Sequence, residues 1–163
     1  MRNLEDRTHD YPPGQGPVVL CVDDEPKVLE ALSRCLRNEP DQLITASDPA
    51  EALLLLGEVP VDLVIADQRM PEMSGTELLR EARERSPATA RAILTGFETP
   101  STLRKGLESG ADTFLHKPWN DVILRSTILR ILDRLGRLET RREVGEEGGP
   151  PDEGPFDLGG EAG

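Results

Sequence analysis

Five short runs of β-forming apolar residues, alternating with stretches of helical periodicity, constrain this chain most. The runs are VVLCV (18–22), QLITA (42–46), VDLVIA (61–66), RAILT (91–95) and DTFLH (112–116). Between the first two, PKVLEALSRCLR (26–37) repeats apolar residues at helical spacing, and Pro26 suits a first helical position. SDPAEALLLL (47–56) offers Ser47 or Asp48 as a cap, with a proline at the helix start. SGTELLREARER (74–85) and TPSTLRKGLESG (99–110) are two more helices, the second closed by Gly110. A last helix is expected from about Asn120 or Asp121 to about Arg142. Most of the strands are continuous apolar runs rather than alternating ones, so both faces of the sheet are expected to be buried. That is the pattern of a parallel sheet covered by helices on each side. The βα units are fewer than a closed barrel needs, so an α/β, doubly wound open sheet is expected over residues 18–142.

The two ends of the chain are of a different kind. Residues 1–17 hold Pro12, Pro13, Pro17, Gly14 and Gly16 and are expected to form a flexible segment. Residues 143–163 carry Glu143, Glu146, Glu147, Asp152, Glu153, Asp157 and Glu161 with no lysine or arginine. So few apolar groups cannot offset the entropy of ordering, and a disordered acidic tail is expected. That tail accounts for much of the net charge of −12. An acidic chain without a basic stripe is a poor partner for a phosphate backbone, so direct binding to nucleic acid is not expected. Cys21 and Cys35 show no metal-ligand spacing and are read as buried reduced thiols. No stretch approaches the ~18 apolar residues of a membrane span, and the first residues are charged rather than signal-like. A cytoplasmic protein is the expectation.

In open α/β sheets, sites form at the carboxyl ends of the strands. There the sequence puts Asp23 and Asp24 after the first run, Asp67 after the third, Thr95 at the end of the fourth and Lys117 after the fifth. Each alone is ordinary: a turn aspartate, a strand-end hydroxyl, a surface lysine. Together they converge on one edge of one sheet. Clustered carboxylates repel one another and raise their pKa values unless a cation joins them. Hard oxygen donors suit Mg2+; no histidine or cysteine joins these residues, since His116 lies in the fifth run, precedes the lysine and is expected to point away from it, which disfavours zinc. With Mg2+ bound, a carboxylate could attack a phosphoryl group. Asp67 is the best candidate nucleophile, with Asp23 and Asp24 on the metal. Lys117 suits the phosphoryl oxygens, and Thr95 can donate a hydrogen bond to the same group.

The pieces VVLCVDDEP, VDLVIADQRMPEMSG, AILTG and TFLHKP, in this order, resemble the receiver domain of two-component response regulators. The resemblance spans residues 18 to about 138. It implies a five-stranded parallel sheet in the order 2-1-3-4-5, and it implies roles. Asp67 would accept a phosphoryl group from the phosphohistidine of a sensor histidine kinase. Asp24 and Asp67 would hold Mg2+ directly, Asp23 through water, and the backbone carbonyl of Arg69 would be a further ligand. Lys117 would pair with the phosphoryl group, and its bond to Pro118 would be cis. Thr95 and Phe114 would form the conformational switch, Phe114 turning into the space Thr95 vacates. Arg69 and Phe97 flank the path of the attacking water, so a long-lived phosphoryl group is expected. The DQRMP and KPW variants resemble receivers joined to HD-type phosphodiesterases and to hydrogenase-type transcription regulators.

Such a chain is expected to be a signalling phosphoacceptor rather than an enzyme with turnover, standing alone and acting on a downstream protein effector through its surface. In the last helix Leu124, Ile128, Ile131, Leu135 and Leu138 follow coiled-coil spacing. The first three are expected to pack on the sheet and the last two to lie beyond its edge, where a homodimer through the fourth and fifth helices could form. Two alternatives stay open. An aspartyl phosphatase would place a second aspartate where Arg69 stands, and a phosphorylation-independent receiver would bind a partner without using Asp67.

Overall fold

The computed structural model describes residues 16–37, 42–96 and 99–136. Residues 1–15, Phe97, Leu138 and the acidic stretch 143–163 lie outside the described residues. Five strands, β1 (Val18–Val22), β2 (Gln42–Ala46), β3 (Leu63–Asp67), β4 (Ala90–Thr95) and β5 (Thr113–His116), alternate with five helices. The helices are α1 (Pro26–Cys35), α2 (Pro49–Glu58), α3 (Gly75–Arg85), α4 (Pro100–Glu108) and α5 (Asp121–Arg134). The strands pair in parallel in the order β2-β1-β3-β4-β5, so the doubly wound sheet and its strand order are as the resemblance implied.

Strand side chains alternate between two cores. Leu20, Val22, Val64, Ala66 and Ile93 pack on one face with Leu55, Leu56, Leu78 and Leu79 of α2 and α3. Val19, Cys21, Leu63, Ile65 and Leu94 pack on the other with Leu32 of α1 and Leu124, Ile128 and Leu132 of α5. Every residue of β1 and β3 is buried, the reason these strands read as unbroken apolar runs. Burial also pushes the Cys21 thiol up to about 12 and Cys35 to about 11, so both remain protonated thiols at neutral pH.

Local signals set the helix starts. Asp48, not Ser47, caps α2, its Oδ1 accepting from the Glu51 amide at 2.9 Å. Ser74 and Glu77 form a reciprocal capping box at α3: the Ser74 hydroxyl accepts from the Glu77 amide and the Glu77 carboxylate from the Ser74 amide. Those bonds hold the Glu77 carboxyl below the usual carboxylate range.

The main departures from the expected boundaries are at β3 and at the end of α5. β3 covers Leu63–Asp67 rather than 61–66. The Asp62 carboxylate accepts from the Val18 amide at 2.8 Å and ties down the strand's entry. At the other end Asp67 is opposite Leu94 in the ladder, so the acid is the strand's last residue rather than the first of the turn. The final helix stops at Arg134 instead of reaching Arg142. Gly136 takes φ +79, a conformation that ends helices, and its amide bonds back to the Asp133 carbonyl at 2.9 Å. Leu124, Ile128 and Ile131 are buried as the stripe predicts, and Leu135 just past the helix is 41% exposed.

Candidate functional site

The strand order sets the site. β1 and β3 are neighbours, so the residues that leave them, Asp23 with Asp24 and Asp67, meet at the carboxyl edge. Carboxylate oxygens of the three acids lie within 4.8 Å of one another. β5 lies two strands from β3, roughly 10 Å away. Only a long side chain crosses that gap, and Lys117 does so. Its Nζ is 2.6 Å from Asp67 Oδ1 and 3.1 Å from Asp23 Oδ2. The Lys117–Pro118 bond is cis.

The three carboxylates are held differently. Asp23 is fully buried, with Oδ1 accepting from the Glu25 amide at 2.8 Å and Oδ2 from Lys117. Asp24 is exposed. Asp67 is 5% exposed. Its carboxyl is raised above the usual range, chiefly by burial and then by the charges of Asp23 and Asp24, with Lys117 opposing. For Lys117, burial favours the neutral amine. The hydrogen bonds to Asp67 and Asp23 outweigh that and raise its pKa. The ammonium thus stays charged beside a crowded carboxylate cluster. All donors here are hard oxygens, two acids share one half-buried lysine and a third faces out, so the set fits a Mg2+ ion.

The turn after Asp67 is braced rather than loose. The Gln68 amide bonds to the Leu94 carbonyl at 3.1 Å. The Gln68 side chain accepts from the Thr76 amide at 3.1 Å and also reaches the Thr76 hydroxyl at 3.5 Å. Gly75 closes the turn, its amide bonded to the Gln68 carbonyl at 3.0 Å. A Cβ there would meet the Asp67 carbonyl oxygen at 2.5 Å and the Gln68 Cα at 3.0 Å, so α3 approaches the end of β3 as closely as a glycine allows. Neither Gln68 nor Gly75 is among the residues expected at the site. The only sequence hint is the Ser-Gly pair ahead of a helical run.

Arg69 is exposed beside this turn. It lines a cavity of about 560 Å3 with Asp24, Gln68, Met70, Ser74 and Thr102, open between Asp24 and the start of α4. Thr95 is 4% exposed at the end of β4, and its carbonyl accepts from the Lys117 amide at 2.9 Å. Phe114 is partly buried and packs on the core beneath α2 and α3. Thr95 shares that face, because Ile93, two residues before it, is the register partner of Phe114. The fold therefore gathers Asp23, Asp24, Asp67 and Lys117 into one contact set. It puts Arg69 at the rim and Thr95 and Phe114 along the adjoining strands. His116 is exposed and is not part of the contact set.

Known proteins resemble the chain in the same terms. It is 36% identical over 119 residues to the hydrogenase transcriptional regulatory protein HoxA of Cupriavidus necator, covering 72% of this chain and 24% of that protein. The chain spans about a quarter to a half of the length of the first curated relatives it matches. Among solved structures, the chemotaxis protein CheY4 of Vibrio cholerae superposes with a TM-score of 0.67 at 31% identity, over 71% of this chain and 98% of that one. The receiver domain of an HD domain-containing protein from Pseudomonas fluorescens gives 0.70 at 33% identity, over 74% of this chain and 97% of that one. The response regulator receiver domain profile matches residues 19–129, and the chain belongs to that family.

Proposed function

We propose that this chain takes a phosphoryl group from the phosphohistidine of a sensor histidine kinase onto Asp67 and signals through a changed protein surface. One observation carries the reading: the Lys117 ammonium lies 2.6 Å from Asp67 and 3.1 Å from Asp23, in a cluster that Asp24 completes at the carboxyl edge of the sheet. An Asp67 oxygen attacks phosphorus. The P–N bond breaks, and its electron pair stays on the imidazole nitrogen. Lys117 gives up its hold on the attacking oxygen and pairs with a phosphoryl oxygen instead. The Thr95 hydroxyl then donates a hydrogen bond to a phosphoryl oxygen, and Phe114 follows on the shared face. Asp24, Asp67 and the Arg69 carbonyl would hold Mg2+, with Asp23 acting through water because both its oxygens already accept hydrogen bonds. The ion would supply charge neutralisation during transfer.

Intact mass after incubation with acetyl phosphate and Mg2+ tests this. A gain of one phosphoryl group, lost in Asp67→Asn, is the expected result. No gain in the wild type would overturn it and leave a phosphorylation-independent binding module. Arg69 at the rim suggests a hindered approach for water, so the phosphoprotein should be long-lived; decay within seconds in Mg2+ would contradict that. Output goes to a downstream protein effector, with exposed Leu107, Val122 and Ile123 supporting a phosphorylation-strengthened homodimer through α4 and α5. Light scattering that gives a monomer with and without beryllofluoride would remove the dimer. Among the described residues, no helix is long and apolar enough to cross a membrane. The acidic balance argues against direct contact with nucleic acid, and a cytoplasmic protein that turns over no other substrate is the simplest reading.

A further inference from the structure

Gly106 is the only residue of α4 that is buried, and its backbone does not call for glycine, since it sits inside a regular helix where alanine is the better residue. What it supplies is space. A Cβ on residue 106 would run into Phe114, against Cζ and at 2.6 Å from Cε1. The ring occupies the volume that any other side chain would take. The atoms it would meet belong to a side chain rather than to a rigid backbone. A substitution therefore acts first on where Phe114 sits. Phe114 lies beside Ile93 in the ladder and on the same face of the sheet as Thr95.

We propose that Gly106 is a positioning residue for the switch: the notch left by its missing side chain seats the Phe114 ring against α4 and presets the α4–β5 surface before phosphoryl transfer. This rests on the reading of Asp67 as phosphoacceptor and Thr95 with Phe114 as its switch. A ring held beside α4 biases the chain toward the state a phosphoryl group would favour. Filling the notch drives the ring away and works against that state. Because coupling between two sites is reciprocal, the change must appear in the affinity for a phosphoryl mimic.

The test uses beryllofluoride with Mg2+ on the full chain, followed by fluorescence of Trp119, the sole tryptophan. Gly106→Ala is expected to weaken apparent beryllofluoride affinity by roughly fivefold, the low end of ordinary coupling. In a Phe114→Ala background the same substitution should leave affinity unchanged and raise the melting temperature, since only helix propensity then remains. In ring-labelled protein the Phe114 signals should move between wild type and Gly106→Ala. If Gly106→Ala alone does not fold, the pair of Phe114→Ala backgrounds still decides: a lower melting temperature on adding Gly106→Ala there would overturn the proposal. Equal beryllofluoride affinity and unmoved Phe114 signals would overturn the role of Gly106 alone. A wild type that does not bind beryllofluoride would overturn the phosphoacceptor reading, and the coupling with it.

Discussion

α4 and α5 follow β4 and β5, yet they are held to the sheet by very different amounts of side chain. α5 buries Leu124, Ile128, Ile131 and Leu132, none more than 6% exposed. α4 buries only Gly106, and its large apolar residue Leu107 is 65% exposed. The thinly held helix is also the one whose first turn, through Thr102, reaches the cavity beside Asp24. Segments with few buried apolar contacts open at low free-energy cost, while well-packed ones open only with the whole fold. If Asp67 takes a phosphoryl group as proposed, α4 can move in response without loosening the core. Amide exchange that proves as slow in α4 as in α5 would break this contrast.

The largest expected effect lies on the anchored side. Ile128→Ala should cost about 2–5 kcal/mol in urea unfolding, as for other fully buried aliphatic side chains. A much smaller loss would mean that α5 is no better anchored than α4.

Next comes Gly75→Ala, which sharpens the contrast between the two glycines. At Gly106 an added Cβ meets a ring that can turn. At Gly75 it meets the backbone of Asp67 and Gln68, which cannot. A loss of about 1–3 kcal/mol is expected in the same unfolding assay, the range for overpacking a tight site. Slower phosphorylation by acetyl phosphate should accompany it, because the carboxylate of Asp67 moves with its backbone.

Asp67→Asn should act in the opposite direction on stability while abolishing phosphorylation. The folded pKa of Asp67 is raised, so the folded state holds its proton more tightly than the unfolded chain. That contribution is fully present below the unfolded value of about 3.9 and is lost as pH rises through the folded value. At pH 7 without Mg2+ the buried carboxylate is a burden, and the asparagine variant should melt higher. The gain should shrink toward pH 4. An asparagine variant that melts lower at pH 7 would show that Lys117 outweighs burial and the neighbouring acids. Added Mg2+ should raise the melting point of the wild type more than that of the variant.

The smallest effect belongs to the exposed side of α4. Leu107→Ser should leave stability within about 0.5 kcal/mol, as for most surface changes, yet reduce any homodimer seen by light scattering with beryllofluoride. A large stability loss would show that α4 is anchored by contacts other than Gly106.

Much of the fold is legible in the residues themselves. The apolar runs mark β1, β3 and β4 most clearly, because a strand buried on both faces has no polar side to show; the edge strands β2 and β5 are buried only in part. Pro49, Asp48 and Ser74 announce helix starts through local bonds to the next turn. Strand ends are harder. Val61 and Asp62 adjoin the apolar run, but the Asp62 carboxylate binds Val18, far away in sequence, and the ladder begins only at Leu63. The expected extension of α5 fails because periodicity in Leu135 and Leu138 cannot see the turn at Gly136. At the site, Asp23, Asp24, Asp67 and Lys117 are legible as chemical groups at strand ends, whereas Gln68 and Gly75 act through contacts that residue type does not reveal.

The sequence by itself determined the order of elements, the two-sided burial of the sheet and which chemical groups stand at strand ends. Those follow from side-chain type and near-neighbour spacing. Only the tertiary structure decided who touches whom: Lys117 reaching Asp67 and Asp23, Gln68 bracing Thr76, Gly75 pressed on Asp67, and Phe114 filling the notch at Gly106. These contacts depend on strand order and register, which are set by burying both faces of the whole sheet at once. No local window contains that information. Within α4 alone, Gly106 is a weak helix residue; beside Phe114, it is the space the ring needs.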